Sequence, residues 1–419
     1  MMAQGLIDAW FLGKVGDREL AAFAFGFPVL MIVMSVAIGL GAGTSSVVAR
    51  AIGAGDHDRA KRLSTDSLFL GFIITLAISM VGILTINPLF RVLGAPPDML
   101  PMIRTFMIIL YSGVPLLVVG MIGTACMRAT GDTRLPSLLM VLAAVLNVIL
   151  DPIFIFGVGP IPAMGLNGAA TAALLARSAI FIGTVYVMRY RLDMLSFEKP
   201  DPIAMARSWR DILHVGIPAA GTNAIVPLGA VIVTAMIARY GPDAVAGFGV
   251  ASRIESMMLV LYYAMSSIIG PFVGQNLAAG RERRILSALW LCTVFCVASG
   301  LVIAGFLALL SDFLPKLFSQ SEAVISVTKL FLWVVPVSYG TYGMVMVMNA
   351  AFNGLGRPMP AVWISVARIL VLYVPLAIIG SQFFGLVGIF SAYAIANIIA
   401  GIGAYIWARN TAHSLCTPD

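Results

Sequence analysis

The sequence predicts an all-α polytopic membrane protein with twelve transmembrane helices in two pseudo-symmetric bundles of six. Three observations lead to this prediction. Hydrophobic residues make up 60% of the 419 residues and charged residues only 11%, whereas about 25% of the residues in a soluble domain are charged. The apolar residues form long runs, and the second half of the chain repeats motifs of the first. So few charges suffice only for helices whose sides face lipid.

Twelve apolar runs account for the predicted helices. They cover 1–13, 22–49, 66–90, 102–127, 136–157, 167–188, 212–238, 245–273, 286–310, 324–350, 360–380 and 386–408. Most of them reach the ~20 residues that span a bilayer. The first run provides about 20 Å of helix before Lys14. Either the first helix is truncated because the true start lies upstream, which we favour, or it enters the membrane only partway.

The basic residues predict the orientation of the chain. Sixteen lie in or beside the even-numbered connections and the C-terminus, against seven in the odd-numbered connections. By the positive-inside rule, the even loops and both termini face the cytoplasm, in a multi-pass protein of the cytoplasmic membrane. The net charge of +7 therefore reflects topology, and we expect the lipid bilayer, rather than nucleic acid, as the partner of this charge.

The longest polar connection divides the chain into two lobes. It covers residues 189–211 and leaves six runs on each side. We therefore predict an N-terminal lobe at 1–188, a cytoplasmic linker at 189–211, a C-terminal lobe at 212–408 and a cytoplasmic tail at 409–419. Within the linker, 202–212 is either an interfacial amphipathic helix or plain connecting chain.

The two lobes repeat one another in sequence. The segment 15–23 aligns with 240–248, Ala54-Gly55 aligns with Ala279-Gly280, and 165–172 aligns with 385–392. Because each half has six spans, corresponding spans point the same way, which predicts a pseudo-two-fold axis along the membrane normal. Two such bundles suit transport by alternating access. A structural duplication without transport is the alternative.

Six ionisable residues lie well inside the apolar runs. An ionisable group at membrane depth costs about 2.5 kcal/mol or more, which makes each of them a candidate functional residue. The acidic ones are Asp8, Asp151 and Glu255, and the basic ones are Arg177, Arg253 and Arg368.

Asp151 is the strongest of these candidates. Asn147 and Asp151 are four residues apart and share one helix face, and Pro152 loosens the turn before it by removing a hydrogen bond. If Asp8 reaches the same cavity, repulsion and desolvation raise the affinity of both carboxylates for protons. Capping of the kink is the structural alternative for Asp151, and an interfacial position is the alternative for Asp8.

Other polar residues extend the candidate sites. Thr171 follows a glycine-rich entry and either donates to a carboxylate or bonds back to its own helix. In the C-terminal lobe, Glu255, Arg253 and Arg368 form a candidate second polar site. Arg253 and Glu255 are two residues apart and do not face each other, so Arg368 is the expected structural partner of Glu255.

Motifs of enzymes and metal sites are missing from the sequence. There is no H-E-x-x-H, G-x-S-x-G or C-x-x-C motif. The four cysteines have no metal-ligand spacing beyond one i,i+4 pair, so small apolar filler is their expected role. We therefore expect a protein that is not an enzyme and that needs no metal or cofactor.

The motifs and their order resemble the multidrug and toxic compound extrusion (MATE) family of cation antiporters over nearly the whole chain. The segments that carry the resemblance are 7–13, 39–44, 49–55, 128–133, 147–157 and 168–171. In the bacterial and archaeal branch, the resemblance implies a coupling-ion site in the N-terminal lobe formed by Asp8, Asn147, Asp151 and Thr171. Another branch uses acidic residues of the C-terminal lobe, and the stretches around Val226-Pro227 and Gly356-Arg357 carry none.

The resemblance implies export of organic cations and amphipathic drugs by a monomer, driven by inward flow of protons or sodium. Protons are the expected coupling ion, and sodium stays open because the same oxygen ligands suit either. The alternative is a flippase for lipids or lipid-linked oligosaccharides, in which Arg177 and Arg368 bind the anionic headgroup. A membrane enzyme and a channel are less consistent with the motifs.

Overall fold

The computed structural model describes residues 2–196 and 201–416, apart from the side chains of residues 2–6, 9 and 416. These residues are almost entirely helical. The helices of the first half are α1 (Met2–Val15), α2 (Asp17–Gly53), α3 (His57–Val92), α4 (Leu100–Ala129), α5 (Arg134–Phe156) and α6 (Gly165–Tyr190). Those of the second half are α7 (Pro202–Ile237), α8 (Pro242–Met258), α9 (Val260–Ala278), α10 (Glu282–Leu309), α11 (Glu322–Val334), α12 (Tyr339–Gly354), α13 (Met359–Val366) and α14 (Val374–Cys416). A π-helix, Ala367–Tyr373, joins α13 to α14.

The helices confirm the predicted transmembrane fold. Within the described residues, nine helical stretches are long and apolar enough to cross a membrane, and α8 with α9, bent by 43°, makes a tenth. The stretch Met359–Leu415 contains two of the predicted runs, and α1 adds a short helix of 14 residues at the start. The twelve apolar runs therefore correspond to twelve helical passes.

Gly385 separates the last two passes. Its backbone is non-helical, with φ 58° and ψ −135°, a combination that only glycine adopts readily. A Cβ on Gly388 would lie 2.0 Å from the carbonyl oxygen of Gly380. Because residues eight apart touch, the chain reverses direction at Gly385.

Helix extends into both ends of the segment 189–211 that the sequence analysis treats as a linker. α6 continues to Tyr190, and α7 begins at Pro202 and runs unbroken into the seventh pass. Proline suits the first turn of a helix because its missing N–H has no helical partner there. Trp209 secures this part of α7 by donating to the carbonyl oxygen of Asp66 at 3.1 Å. Residues 197–200 lie outside the described residues, and 409–416 of the predicted tail continue α14.

The first compact unit comprises Met1–Val48 and Asp56–Gly216. α4 lies at its centre and contacts both α3 and α6, while α5 packs on α6 and on α1. The interior of α4 is apolar, and Ile103, Phe106 and Met107 are almost completely buried. This packing places α1, α5 and α6 side by side.

The second compact unit comprises Ala49–Gly55 and Ile217–Asp419. α12 lies at its centre and contacts α9, α10 and α14. Large aromatic side chains fill the core, and the fully buried ones include Tyr262, Tyr339, Phe331, Phe352 and Phe390. Two of these rings, those of Tyr262 and Tyr339, carry hydroxyl groups, so polar atoms lie within the apolar core.

Candidate functional site

A pair of polar side chains on α5 forms the centre of the candidate site in the first unit. Asn147 and Asp151 are both completely buried. The side-chain amide of Asn147 donates to Oδ1 of Asp151 at 3.2 Å. The four-residue spacing places them one helical turn apart, as expected for one face. The structure thus brings together the two residues that the sequence analysis assigned to this helix.

Asp8 joins this pair from a different helix. α1 packs against α5, and the Asp8 carboxyl group lies within hydrogen-bonding reach of Asp151. Oδ1 of Asp8 and Oδ2 of Asp151 are buried and accept no hydrogen bond from the described residues. Two carboxyl groups in contact, each with an unsatisfied oxygen, form an acceptor site in an apolar surrounding.

Arg177 lies near the carboxyl group of Asp8. It projects from α6, interacts electrostatically with Asp8, and packs against α4, where a Cβ on Gly113 would lie 3.2 Å from one of its terminal nitrogens. Its position in an apolar run predicts an intramembrane charge, but the sequence does not assign Arg177 to this site. The only indication in the sequence was that a buried charge needs a counter-charge.

Thr171 lies in α6, which packs on α5, but its hydroxyl group is already used. It donates to the carbonyl oxygen of Asn167 in its own helix at 2.8 Å. This is the back-bonded alternative of the sequence analysis. The structure therefore brings Asp8, Asn147 and Asp151 into contact, and it leaves Thr171 without a hydrogen bond to either carboxyl group.

Gly168 explains why α6 lies so close to the end of α5. A Cβ at this position would lie 2.2 Å from the carbonyl oxygen of Phe154. Only glycine permits this approach of two backbones. The glycine-rich entry of α6 thus helps to hold the polar face of α5 against its neighbours.

A second polar cluster lies in the second unit, around Glu255 of α8. The hydroxyl group of Tyr393 donates to Oε1 of Glu255 at 3.1 Å. Arg368 donates to Oδ1 of Asn397 at 2.9 Å and lies over the ring of Tyr342, 4.3 Å from its centroid. Asn397 in turn donates to Oγ of Ser338 at 3.1 Å.

The structure changes the membership of the predicted second-lobe site. Arg253 is exposed, whereas Glu255 is partly buried, because two residues along a helix turn the side chains to different faces. Among the ion pairs of the described residues, none joins Glu255 to Arg368. Glu255 and Arg368 interact electrostatically without a direct ion pair, and Tyr393 and Asn397 are their hydrogen-bond partners. Tyrosine and asparagine partners are not apparent from charge spacing.

The comparisons with known proteins agree with this architecture. The chain matches the MatE family over residues 1–153 and 218–379. It therefore belongs to the MatE family of membrane transporters, which confirms the resemblance found in the sequence.

Individual relatives cover almost the whole chain. The "FAD transporter" of Shewanella oneidensis is 38% identical over 413 residues, which are 99% of this chain and 90% of the relative. The "Multidrug export protein MepA" of Staphylococcus aureus is 22% identical over 96% of this chain and 88% of its own. A bent-form crystal structure of the Vibrio cholerae MATE transporter VcmN has a TM-score of 0.94 at 31% identity, and covers 99% of this chain and 93% of its own.

Proposed function

We propose that this protein is an ion-coupled antiporter that exports amphipathic organic compounds by alternating access, with Asp8, Asn147 and Asp151 as its coupling site. The observation that carries the proposal is the contact between two membrane-embedded carboxyl groups, each with an unsatisfied oxygen. Carboxyl groups at such depth usually belong to proton relays or ion pathways. No other function explains their cost so directly.

Protons are the coupling ion that we propose. Two adjacent carboxylates repel each other and lose hydration, so one bound proton removes the repulsion and supplies a hydrogen bond between them. Protonation would rearrange the bond between Asn147 and Asp151 and shift α1 against α5. Sodium is the second candidate, because the same carboxylate and amide oxygens bind hard cations.

The available driving force is sufficient for export. A proton that enters down ~100 mV and one pH unit releases about 3.7 kcal/mol. At one proton per uncharged substrate, this supports a concentration gradient of about 500-fold. For a monovalent cation exchanged one for one, the electrical contributions cancel, and one pH unit supports about tenfold.

The contacts of the intramembrane arginines favour an antiporter over a flippase. A flippase for lipid-linked sugars would present arginines to a phosphate group, but Arg177 interacts with Asp8 and Arg368 donates to Asn397. The proposed substrates are organic cations and amphipathic drugs, as the names of several relatives suggest. FAD is a second candidate, because the relative of that name is 38% identical across nearly the whole chain. We propose that the protein acts as a monomer in the cytoplasmic membrane, with both termini in the cytoplasm and no bound cofactor.

Proton-coupled flux in liposomes tests the proposal. Purified protein is reconstituted with an internal pH dye, and gradients of ethidium, norfloxacin or FAD are imposed. We expect substrate-dependent proton movement in the wild type, and only the leak of protein-free liposomes in Asp151→Asn, which keeps the shape but cannot carry the proton. Full coupled export by this variant would exclude the proposed site, and coupling to sodium alone would replace the ion.

Asp312→Asn is the matched control. Asp312 lies between α10 and α11, where a hydrogen bond from Lys329 and its positive charge lower the pKa of the Asp312 carboxyl group. It is therefore ionised at neutral pH, and it is exposed. The same chemical change at this position should leave proton-coupled flux at the wild-type rate.

A further inference from the structure

We propose that the cluster in the second unit binds an uncharged planar nitrogen heterocycle through an edge that carries an N–H donor beside a carbonyl acceptor. Glu255 would accept from the N–H, a buried donor beside Arg368 would reach the carbonyl oxygen, and tyrosine rings would stack on the plane. The proposal names a class of substrate. Transport of that substrate rests on the proposed export function. Binding itself does not depend on how export is coupled.

The charges of the cluster do not select an ion. Glu255 and Arg368 lie near each other without forming a direct ion pair. Within the described structure, no other Asp, Glu, Lys or Arg side chain interacts with either of them. The cluster therefore holds one acidic and one basic side chain. A ligand with a single charge would be attracted by one of the two groups and repelled by the other, whereas a neutral ligand meets both a donor and an acceptor.

Buried donors in the cluster have no acceptor. Arg368 is 3% exposed and Tyr339 is fully buried. The Nε group of Arg368 and the hydroxyl group of Tyr339 make no hydrogen bond with the described residues. A buried polar group without a partner costs about 1–3 kcal/mol. A ligand carbonyl oxygen would satisfy a donor of this kind.

Glu255 supplies the complementary acceptor. It receives one hydrogen bond, from Tyr393 at 3.1 Å, and its side chain remains partly exposed. Tyr393 bonds to only one of the two carboxylate oxygens, and the other makes no further hydrogen bond with the described residues. A ligand N–H can therefore reach the carboxylate without displacing Tyr393.

Tyrosine rings surround the two charges. The rings of Tyr373 and Tyr393 are 4.9 Å apart, and those of Tyr342 and Tyr393 are 6.4 Å apart. Arg368 already occupies one face of Tyr342. Tyr263 lies near Glu255 and is 44% exposed, so its ring is available to a ligand. Aromatic faces stack readily on planar heterocycles.

The backbone at Arg368 provides an independent indication of function. Arg368 and Tyr373 both lie in the π-helix Ala367–Tyr373. π-helical segments are rare and occur frequently at functional sites, because the wider turn changes the direction of the side chains. The corresponding helix of the first half, α5, is a regular α-helix without a π-helical segment. The π-helix is thus specific to the arginine-bearing cluster.

Ligand binding to the purified full-length protein tests the proposal. Riboflavin is a suitable probe, because its ring has an imide N–H between two carbonyl groups and its fluorescence is quenched by stacking on tyrosine. We expect saturable quenching by the wild type. Methylation of the ring at the imide nitrogen should weaken binding about tenfold or more, which corresponds to the loss of a hydrogen bond to a charged group.

Variants locate the binding site. Glu255→Gln should weaken riboflavin binding about tenfold or more and should remove the difference between riboflavin and its methylated analogue. Tyr263→Ala should weaken binding about fivefold or more through the lost stacking, and the matched Tyr263→Phe should bind as the wild type does. Equal binding of both ligands to the wild type, or displacement of riboflavin by ethidium at similar concentrations, would overturn the proposal.

Asp151→Asn separates this proposal from the proposed coupling. We expect this variant to lose proton-coupled flux and to keep riboflavin binding. If coupled flux persists in Asp151→Asn while Glu255→Gln still weakens binding, the coupling site is wrong and the ligand site stands. If folded Asp151→Asn loses riboflavin binding, the ligand site is not independent of the first cluster, and the proposal as stated is wrong.

Discussion

The two units share a backbone framework but differ in the chemistry that it carries. Gly131 before α5 and Gly356 before α13 have φ of 91° and 71°, and Gly165 and Gly385 have φ of 52° and 58°. These glycines occur at corresponding points of the repeat. The left-handed backbone that they adopt is unfavourable for other residues. The turns that flank α5 in the first half are therefore like those that flank the pass beginning with α13 in the second half.

The polar clusters on these corresponding helices are different. In the first unit, α5 presents a carboxyl group and an amide to Asp8, and the unsatisfied atoms are acceptors. In the second unit, the π-helix presents a guanidinium group beside Glu255, and the unsatisfied atoms of this cluster, Nε of Arg368 and the hydroxyl group of Tyr339, are donors. Acceptors attract protons and cations, and donors attract carbonyl oxygens. The repeat thus determines where a site is built, and the side chains determine what it binds.

The shared framework can be broken at its closest backbone contacts. In Gly168→Ala and Gly388→Ala, the new Cβ would lie 2.2 Å and 2.0 Å from a backbone carbonyl oxygen. Neither backbone can yield as a flexible side chain would, so we expect a loss of about 3 kcal/mol in the free energy of unfolding, or no folded protein. Thermal unfolding in detergent measures the effect.

Gly221→Ala and Gly305→Ala are matched controls for this prediction. Both glycines lie in helices, and a Cβ at either would meet no atom within 4 Å. Their variants should be neutral or more stable than the wild type by about 0.4–1 kcal/mol. Equal stability of all four variants would show that these contacts stabilise neither half.

A smaller effect is expected from Asn397→Ala, which affects only the second cluster. Asn397 accepts from Arg368 and donates to Ser338, so its loss leaves a buried guanidinium group with one partner fewer. We expect the free energy of unfolding to fall by about 1–3 kcal/mol. Proton coupling per transported substrate should stay unchanged, because the first cluster is intact.

Asn276→Ala provides the comparison for Asn397→Ala. Asn276 is also buried, but its amide donates to Phe272 within its own helix. Its removal should therefore cost less. A loss of coupling in Asn397→Ala would indicate that the two clusters act together.

The smallest effect is expected from Thr171→Val, which sharpens the definition of the first cluster. The hydroxyl group of Thr171 is bonded to Asn167 in its own helix, and valine has nearly the same shape. We expect coupled flux within about twofold of the wild type, or about 0.4 kcal/mol in the activation free energy. A loss as large as that of Asp151→Asn would make the Thr171 oxygen part of the coupling site.

Much of the fold follows from the linear pattern of residues. Apolar runs of membrane length predict helices, because a spanning segment must satisfy its own backbone hydrogen bonds. The limits of the helices were less predictable. The extension of α7 back to Pro202 depends on contacts such as that between Trp209 and Asp66, which are far apart in sequence.

By itself, the sequence determined the number of passes, the internal repeat, the family, and the helix face shared by Asn147 and Asp151, because each of these depends on local spacing. Only the tertiary structure decided which residues from different helices meet. It placed Asp8 beside Asp151 and Arg177 beside Asp8. It left Arg253 exposed and gave Glu255 a tyrosine partner and Arg368 an asparagine partner. A buried charge requires a partner, but which partner it finds depends on how the helices pack.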